Sequence, residues 1–161
     1  MLKEKTKKIK MLITDIDGVM TDGGMYFSST GEEMKRFSVK DGMAVGLCRD
    51  AGIDFGFISA GHSLALVEAR AKVLKVNHVY VGYTPKIEIL NQWLDTLNLK
   101  AEDVAYIGDD LKDIPVMEAV GISACPADAV KQVVAIADVV LTKTGGHGCV
   151  REFVEEVLLV K

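Results

Sequence analysis

Acidic residues directly follow two short apolar runs of the chain. Asp15 and Asp17 come after residues 9–14, and Asp109 comes after residues 104–107. Carboxylate oxygens suit Mg²⁺, and carboxylates this close repel one another unless a cation lies between them. If the two groups converge, one carboxylate and one backbone carbonyl from the first loop, with Asp109 as the third ligand, would hold one Mg²⁺. The alternative is that each aspartate only caps a turn or a helix, but their coincidence at two strand ends favours a metal site.

A hydroxyl group and a lysine could bind an anion beside this metal. Ser59 ends another apolar run, residues 55–59, shortly before a helix, and backbone N–H groups at a helix start favour anions. Lys86 opens a later helix, where its ammonium could neutralise phosphate charge. Taken alone, Ser59 would be an ordinary strand end and Lys86 an exposed surface lysine. Together with the carboxylates, they indicate a site for a phosphate group.

These side chains need a scaffold that brings several strand ends together. Short apolar runs predict strands at 9–14, 55–59, 79–81, 104–107, 122–124 and 139–141. Helical patterns between them predict helices at 41–51, 63–74, 85–97, 111–120, 130–135 and 148–160, with Ser63 as an N-cap. The alternation predicts an α/β fold of the Rossmann-like, three-layer α/β/α type with a central parallel sheet. Ligands of such sheets bind beyond the carboxyl ends of the strands.

Residues 23–38 break the alternation because they have no helical period. Residues 25–28 and 34–38 read as two strands joined by residues 29–32, which predicts a β-hairpin inserted beside the active end of the sheet. The hairpin could be a lid, a specificity element or an oligomer contact. An isolated hairpin is only marginally stable, so packing against another subunit is a reasonable expectation. The 161 residues otherwise suit one domain with no cap domain, ending in a tail at 143–161.

Composition argues against several other classes of protein. A net charge of -4 disfavours nucleic acid as the main partner, because binding to a phosphate backbone needs a basic surface. We see neither an apolar run that could span a membrane nor a secretory leader, so we expect a cytoplasmic protein. The three cysteines are Cys48, Cys125 and Cys149, which are far apart and lack CxxC spacing. We expect buried, reduced thiols rather than disulfides or a zinc site.

The motifs, taken in order, resemble those of the haloacid dehalogenase-like phosphatases. The resemblance rests on Asp15-Ile16-Asp17-Gly18-Val19, Ser59, Lys86 and Gly108-Asp109-Asp110-Leu111-Lys112-Asp113, which span most of the chain. It implies that Asp15 attacks phosphorus to form an aspartyl-phosphate, and that Asp17 protonates the leaving alkoxide and then activates water.

The same resemblance assigns the remaining positions of the site. It implies that the phosphate is bound by Ser59, Ala60 and Lys86. It implies that Asp15, the Asp17 carbonyl and Asp109 bind Mg²⁺, and that Asp110 and Asp113 lie behind these ligands.

The inserted hairpin, the missing cap and the glycine-rich tail resemble a capless subgroup of this family. Its best-known members hydrolyse 3-deoxy-D-manno-octulosonate 8-phosphate (KDO 8-phosphate) in lipopolysaccharide precursor synthesis. Close relatives act on nine-carbon keto acid 9-phosphates. The resemblance therefore implies a Mg²⁺-dependent phosphatase for a small sugar acid phosphate. It also implies a homotetramer in which the hairpin and the tail approach a neighbouring subunit's active site.

The chain departs from the subgroup in the segment Ser59-Ala60-Gly61-His62, where the subgroup often has arginine at the position of His62. Arg70 aligns with a subgroup arginine near the sugar acid, and we hypothesise that it pairs with the substrate carboxylate. It could equally be a surface arginine that covers its helix.

Two other functions remain open at the level of the sequence. One is a module that binds a phosphorylated ligand without turnover, although binding alone would not need Asp17. The other is a receiver domain, which the DxDG and GDDxxD motifs fit poorly.

Overall fold

The computed structural model describes residues 2–160 and contains a six-stranded parallel sheet and a two-stranded hairpin. The strands are β1 (Met11–Thr14), β2 (Tyr26–Phe27), β3 (Glu33–Met34), β4 (Asp54–Ala60), β5 (His78–Gly82), β6 (Val104–Ile107), β7 (Ile122–Cys125) and β8 (Val139–Val140). The order in the large sheet is β5-β4-β1-β6-β7-β8, and β2 pairs with β3 alone. The predicted central parallel sheet is therefore confirmed.

Helices cover both faces of the sheet. They are α1 (Leu2–Thr6), α2 (Val39–Asp50), α3 (Leu64–Leu74), α4 (Lys86–Leu97), α5 (Ile114–Ala119), α6 (Lys131–Val134) and α7 (Cys149–Phe153), the last continued by a π-helical turn at Val154–Leu158. One apolar cluster packs α2, α3 and α7 on one face, and a second packs α4, α5 and α6 on the other. This is the expected three-layer α/β/α arrangement.

The central strand, β1, is apolar except for its last residue, Thr14, because both of its faces are covered. Leu12 belongs to the cluster on one face of the sheet, while Met11 and Ile13 belong to the cluster on the other. All four residues of β1 are buried. A parallel strand that is covered on both faces favours a nearly continuous apolar run. Because β1 is held in the core, the position of Asp15, which directly follows it, is fixed as well.

The hairpin is shorter than the sequence predicted. Its pairing is limited to Tyr26 opposite Met34 and Phe27 opposite Glu33. The second predicted strand, 34–38, ends early because Phe37 instead forms an isolated bridge with Thr21. Ser38 then caps α2 by accepting a hydrogen bond from the backbone N–H of Lys40.

Three helical predictions need correction. The predicted helix 111–120 begins as a separate 3₁₀ turn, Leu111–Asp113, because the Asp110 side chain accepts from the Leu111 N–H and fixes a tighter turn. Ser63 occupies the predicted N-cap position of α3, but its side chain forms no capping hydrogen bond, because its hydroxyl donates to Glu33 instead. The predicted helix 148–160 is not one regular helix, because α7 passes into the π-helical turn after five residues.

Cys48, Cys125 and Cys149 are free and buried, as the sequence predicts. Among residues 2–160, no helix combines the length and the apolar character that crossing a bilayer would require.

Candidate active site

Two neighbouring strands end at the same level of the sheet. Thr14, the last residue of β1, lies opposite Ile107, the last residue of β6. The backbone N–H of Asp15 donates to the carbonyl of Ile107 at 3.0 Å. The chain leaves β1 toward β4 on one side and leaves β6 toward β7 on the other, which opens a crevice between the two strands. Asp15 and Asp109 therefore emerge side by side.

The loop after β1 is shaped to admit Asp109. Asp15 keeps extended backbone angles, and its Oδ1 accepts from the N–H of Ile16 at 2.6 Å. Gly18 follows with a φ of +85°, a conformation that favours glycine. A Cβ at Gly18 would lie 2.0 Å from Oδ2 of Asp109, so only glycine lets the two segments approach this closely.

Lys86 lies between two of the carboxylates. Its Nζ is 2.6 Å from Oδ2 of Asp15 and 2.6 Å from Oδ1 of Asp113. Burial would lower the pKa of Lys86, but the charges of these two carboxylates outweigh it and hold that pKa above its ordinary value. Lys86 is only 5% exposed, so the interpretation as a surface lysine is wrong. Its ammonium is a fixed positive charge inside the acidic cluster.

Asp113 organises the surrounding groups. Its Oδ1 also accepts from the hydroxyl of Tyr106 at 2.6 Å. Its Oδ2 accepts from the backbone N–H groups of Asp109 at 2.9 Å and Asp110 at 3.1 Å. A Cβ at Gly108 would lie 2.4 Å from the Cβ of Asp113, so this position also needs glycine. Both carboxylate oxygens of Asp113 are engaged, which suits a residue that holds the others in place.

The carboxylates fit a hard divalent cation. One oxygen from each of Asp15, Asp109 and Asp113 lies within 4.8 Å of the others. Oδ1 of Asp109 is buried and has no hydrogen-bond partner within residues 2–160. Burial, reinforced by the neighbouring carboxylates, raises the pKa of Asp15 to about 7 and that of Asp109 to about 8. A cation with oxygen ligands would relieve this repulsion and satisfy the orphaned oxygen.

A cavity of about 370 Å³ opens onto this cluster. Its lining residues are Asp15, Asp17, Ala60, Lys86, Asp109, Asp110, Leu111, Lys112 and Asp113. The carboxylate of Asp17 is half exposed at the cavity and forms a salt bridge with Lys35. Ser59 is buried near the end of β4, beside Val81 of β5. Most of the residues predicted for catalysis, phosphate and metal thus share one cavity.

Arg70 lies elsewhere. Its guanidinium is stacked over the ring of Phe37, 5.5 Å from the ring centroid, and donates to the carbonyl of Ser38 at 3.3 Å. A Cβ at Gly42 would lie 2.4 Å from its Nη2. Within one chain, Arg70 therefore supports the junction between the hairpin and α2. Its contact with a substrate carboxylate stays a prediction.

Three residues of the site region were missed by sequence reasoning. Lys35 and Glu33 come from the hairpin, and Tyr106 comes from β6. The alternation of exposed and inward positions beside β3 is too short to mark Lys35. Tyr106 could have been suspected, because a tyrosine in a buried strand needs a partner for its hydroxyl.

Comparisons with known proteins agree with this geometry. Residues 76–153 match the family of haloacid dehalogenase-like hydrolases. The fold and the acidic strand ends define the chain as a hydrolase of that class.

Individual relatives show which group of these hydrolases the chain is similar to. The chain is 40% identical to the 3-deoxy-D-manno-octulosonate 8-phosphate phosphatase KdsC of Escherichia coli (strain K12) over 98% of this chain and 83% of that protein. It superposes on the crystal structure of the corresponding Yersinia pestis phosphatase with a TM-score of 0.92, at 40% identity, over 98% of this chain and 85% of that one. The chain belongs to the haloacid dehalogenase-like hydrolases and, within them, to the family of these phosphatases.

A third relative was solved with bound molecules. The phosphatase of Moraxella catarrhalis, 36% identical, matches with a TM-score of 0.93 over 98% of this chain and 90% of that one. Its crystal structure is a complex with a magnesium ion, a phosphate ion and a KDO molecule.

Proposed function

We propose that this protein is a Mg²⁺-dependent phosphatase that hydrolyses KDO 8-phosphate through an aspartyl-phosphate on Asp15. The observation that carries the proposal is the convergence of Asp15, Asp109 and Asp113 around Lys86 at the carboxyl ends of β1 and β6. Buried carboxylates with one lysine suit phosphoryl transfer, in which catalysis is mainly positioning and electrostatic stabilisation. The likeness to KDO 8-phosphate phosphatases over nearly the whole chain supports the substrate.

Each side chain of the cavity has a proposed role. Asp15 is the nucleophile, and its second oxygen is oriented by Lys86. Asp17, at the cavity mouth, gives a proton to the leaving oxygen and later accepts one from the water that attacks the aspartyl-phosphate. Lys86 offsets phosphate charge, and Ser59 and the backbone at Ala60 bind phosphate oxygens.

The proposed ion ligands are Asp15, Asp109 and the Asp17 carbonyl. Bound Mg²⁺ would offset negative charge on the phosphoryl group and orient it. Asp113 keeps the site in shape by fixing Lys86, Tyr106 and the backbone of Asp109, while Asp110 caps the next turn.

The test is release of inorganic phosphate from KDO 8-phosphate, with and without Mg²⁺. We expect turnover that is abolished by a chelator, restored by Mg²⁺, and reduced to background in Asp15→Asn. A matched control is Asp95→Asn on the distal part of α4, which should retain wild-type turnover. Tight binding of KDO 8-phosphate without turnover would instead support a non-catalytic module.

The same assay separates the eight-carbon substrate from nine-carbon alternatives. KDO 8-phosphate is compared with KDN 9-phosphate and N-acylneuraminate 9-phosphates through kcat/KM. A higher kcat/KM for a nine-carbon substrate would contradict the proposed substrate while leaving the chemistry intact.

We also propose that the chain is a single domain that assembles as a homotetramer in the cytoplasm. The one continuous sheet supports a single domain. The free thiols of the buried cysteines fit a reducing compartment. Support for assembly comes from four exposed apolar side chains on the hairpin, namely Met25, Tyr26, Phe27 and Met34.

A further inference from the structure

The hairpin sends one buried basic side chain toward the catalytic carboxylates. Lys35 directly follows β3, and its side chain is only 6% exposed, whereas the neighbouring Met34 is an exposed residue. A lysine on a two-stranded hairpin normally keeps its ammonium in water, because burial of an unpaired charge is costly. Its inward orientation therefore needs specific partners.

Those partners are two carboxylates. Nζ of Lys35 lies 2.7 Å from Oδ1 of Asp17 and 3.0 Å from Oε1 of Glu33. Glu33 is itself held on the other side, where its Oε2 accepts from the hydroxyl of Ser63. His62 Nε2 lies 3.9 Å from the same oxygen. Lys35 is thus fixed between the loop that follows β1 and the loop that follows β4.

This contact leaves one oxygen of Asp17 available. Within residues 2–160, both hydrogen bonds to the Asp17 carboxylate go to Oδ1, from Lys35 at 2.7 Å and from the hydroxyl of Thr21 at 3.5 Å. The Thr21 contact is long and weak. Asp17 is half exposed and lines the cavity, so without Lys35 little would select its side-chain orientation.

We propose that Lys35 is a positioning residue that holds Asp17 by Oδ1 so that Oδ2 serves as the proton-transfer atom toward the leaving oxygen. The proposal rests on the proposed function, in which Asp17 is the acid and base. In the first step the bond from phosphorus to the leaving oxygen breaks, Asp15 bonds to phosphorus, and the proton of Asp17 passes to the leaving oxygen. In the second step water bonds to phosphorus, its proton passes to Asp17, and Asp15 is released as the carboxylate.

The leaving group provides the test. A nitrophenolate departs without a proton, whereas a phenolate or a sugar alkoxide needs one. The loss of kcat/KM in Lys35→Met should therefore grow with the pKa of the leaving group. We expect a loss within about threefold for p-nitrophenyl phosphate and of about tenfold to a hundredfold for phenyl phosphate and KDO 8-phosphate, part of the 10²–10⁴ that a general acid supplies.

Two variants control for a merely structural effect. Lys35→Arg keeps a cation within reach of Asp17 and should recover most of the loss on phenyl phosphate. Lys7→Met removes an exposed lysine near the N-terminus and should leave kcat/KM unchanged on all three substrates. An equal loss of kcat/KM on all leaving groups, or no recovery by arginine, would overturn the proposal.

A double-mutant cycle with Asp17 gives a second, independent readout. In an Asp17→Asn background, Lys35→Met should cause no further loss on phenyl phosphate, because the group that it positions is gone. Additive losses would contradict the proposal. If Lys35→Met does not fold, Glu33→Gln loosens Lys35 from its other partner and should give the same leaving-group trend with a smaller amplitude.

These measurements also distinguish the proposed role of Lys35 from the proposed function of the protein. A wild-type protein that hydrolyses phenyl phosphates but not KDO 8-phosphate would refute the proposed substrate while leaving the test of Lys35 valid. A wild-type protein without any Mg²⁺-dependent turnover would refute the proposed function itself.

Discussion

A single ammonium faces more negative charge than it can balance at the end of β1. Lys86 contacts Asp15 and Asp113, and Asp109 stands beside them with a buried, unpartnered oxygen. The raised pKa values of Asp15 and Asp109 follow from burial and from this excess of carboxylates. The crowded carboxylates therefore lower the stability of the metal-free protein. A bound divalent cation would offset this loss.

The stability of the metal-free protein should consequently fall as the pH rises. Asp15 and Asp109 have folded-state pKa values of about 7 and about 8, above the ordinary value of 3.8. The folded state therefore binds more protons than the unfolded state, and stability is lost from just above pH 3.8 until both groups ionise. From these two shifts we expect the free energy of unfolding to decrease between pH 5 and pH 8, with about 6 kcal/mol as the upper limit.

Urea unfolding at both pH values, in a chelator and in Mg²⁺, measures this effect. Mg²⁺ should reduce the decrease, because the ion stabilises the ionised carboxylates of the folded state. Asp109→Asn should flatten the pH dependence in the chelator. A metal-free protein whose stability rises over this range, with the variant behaving in the same way, would refute the explanation.

The tail that begins at residue 143 packs closely against the loop that follows β1 and carries Asp17. A Cβ at Gly145 would lie 1.9 Å from the carbonyl oxygen of Gly18, and one at Gly146 would lie 2.4 Å from the N–H nitrogen of Asp22. The tail is anchored independently, since Asp41 of α2 accepts from the backbone N–H groups of Gly148, Val150 and Arg151. The anchored tail therefore limits the conformations that this loop can adopt.

Substitution of Gly145 should disturb catalysis through the backbone alone. In Gly145→Ala the loop or the tail must move, because the obstructing atom belongs to the backbone. A displacement of the reacting groups by about 1 Å can cost up to about a hundredfold in rate, so we expect kcat to fall by at least tenfold. Steady-state kinetics on KDO 8-phosphate measure the loss.

Gly46→Ala is the matched control for this substitution. Gly46 lies within α2, where a Cβ would meet only a side-chain nitrogen of Arg49 at 3.7 Å. Alanine there should stabilise the helix by about 0.5–1 kcal/mol and leave kcat unchanged. If Gly145→Ala kept full activity, the tail would not constrain the loop.

The sequence was sufficient to locate the secondary-structure elements that follow a simple hydrophobic pattern. The apolar runs before Asp15, Ser59 and Asp109 located three strand ends, because a strand buried on both faces has a distinctive composition. The sequence was not sufficient to predict polar contacts between segments that are not adjacent in the chain. Asp41 and Lys35 make their decisive contacts with residues far away in the chain, and local periodicity carries no record of such pairs.

The hairpin exposes apolar side chains that no contact within residues 2–160 of a single chain explains. Met25 is 71% exposed and Phe27 is 54% exposed, beside Tyr26 and Met34. Exposed apolar clusters of this kind usually mark contact surfaces. The proposed tetramer would cover them and bring the hairpin of one subunit near another.

Charges introduced on this surface should dissociate the assembly. Phe27→Asp with Met25→Asp is expected to shift the protein from tetramer to smaller species in sedimentation velocity, because burying the new carboxylates would be costly. Glu32→Asp, at the hairpin turn, should leave the tetramer intact. A wild-type protein that sediments as a monomer at micromolar concentration would contradict the proposed assembly.

We expect acidic side chains from separate strands to share one divalent ion, against which a phosphoester is cleaved. The most direct measurement is a crystal structure of this protein with Mg²⁺ and inorganic phosphate. We expect Asp15 and Asp109 to bind the same ion at about 2.0–2.1 Å, with the phosphate between it and Lys86. An ion bound elsewhere, or carboxylates of Asp15 and Asp109 that do not share it, would contradict the proposed function.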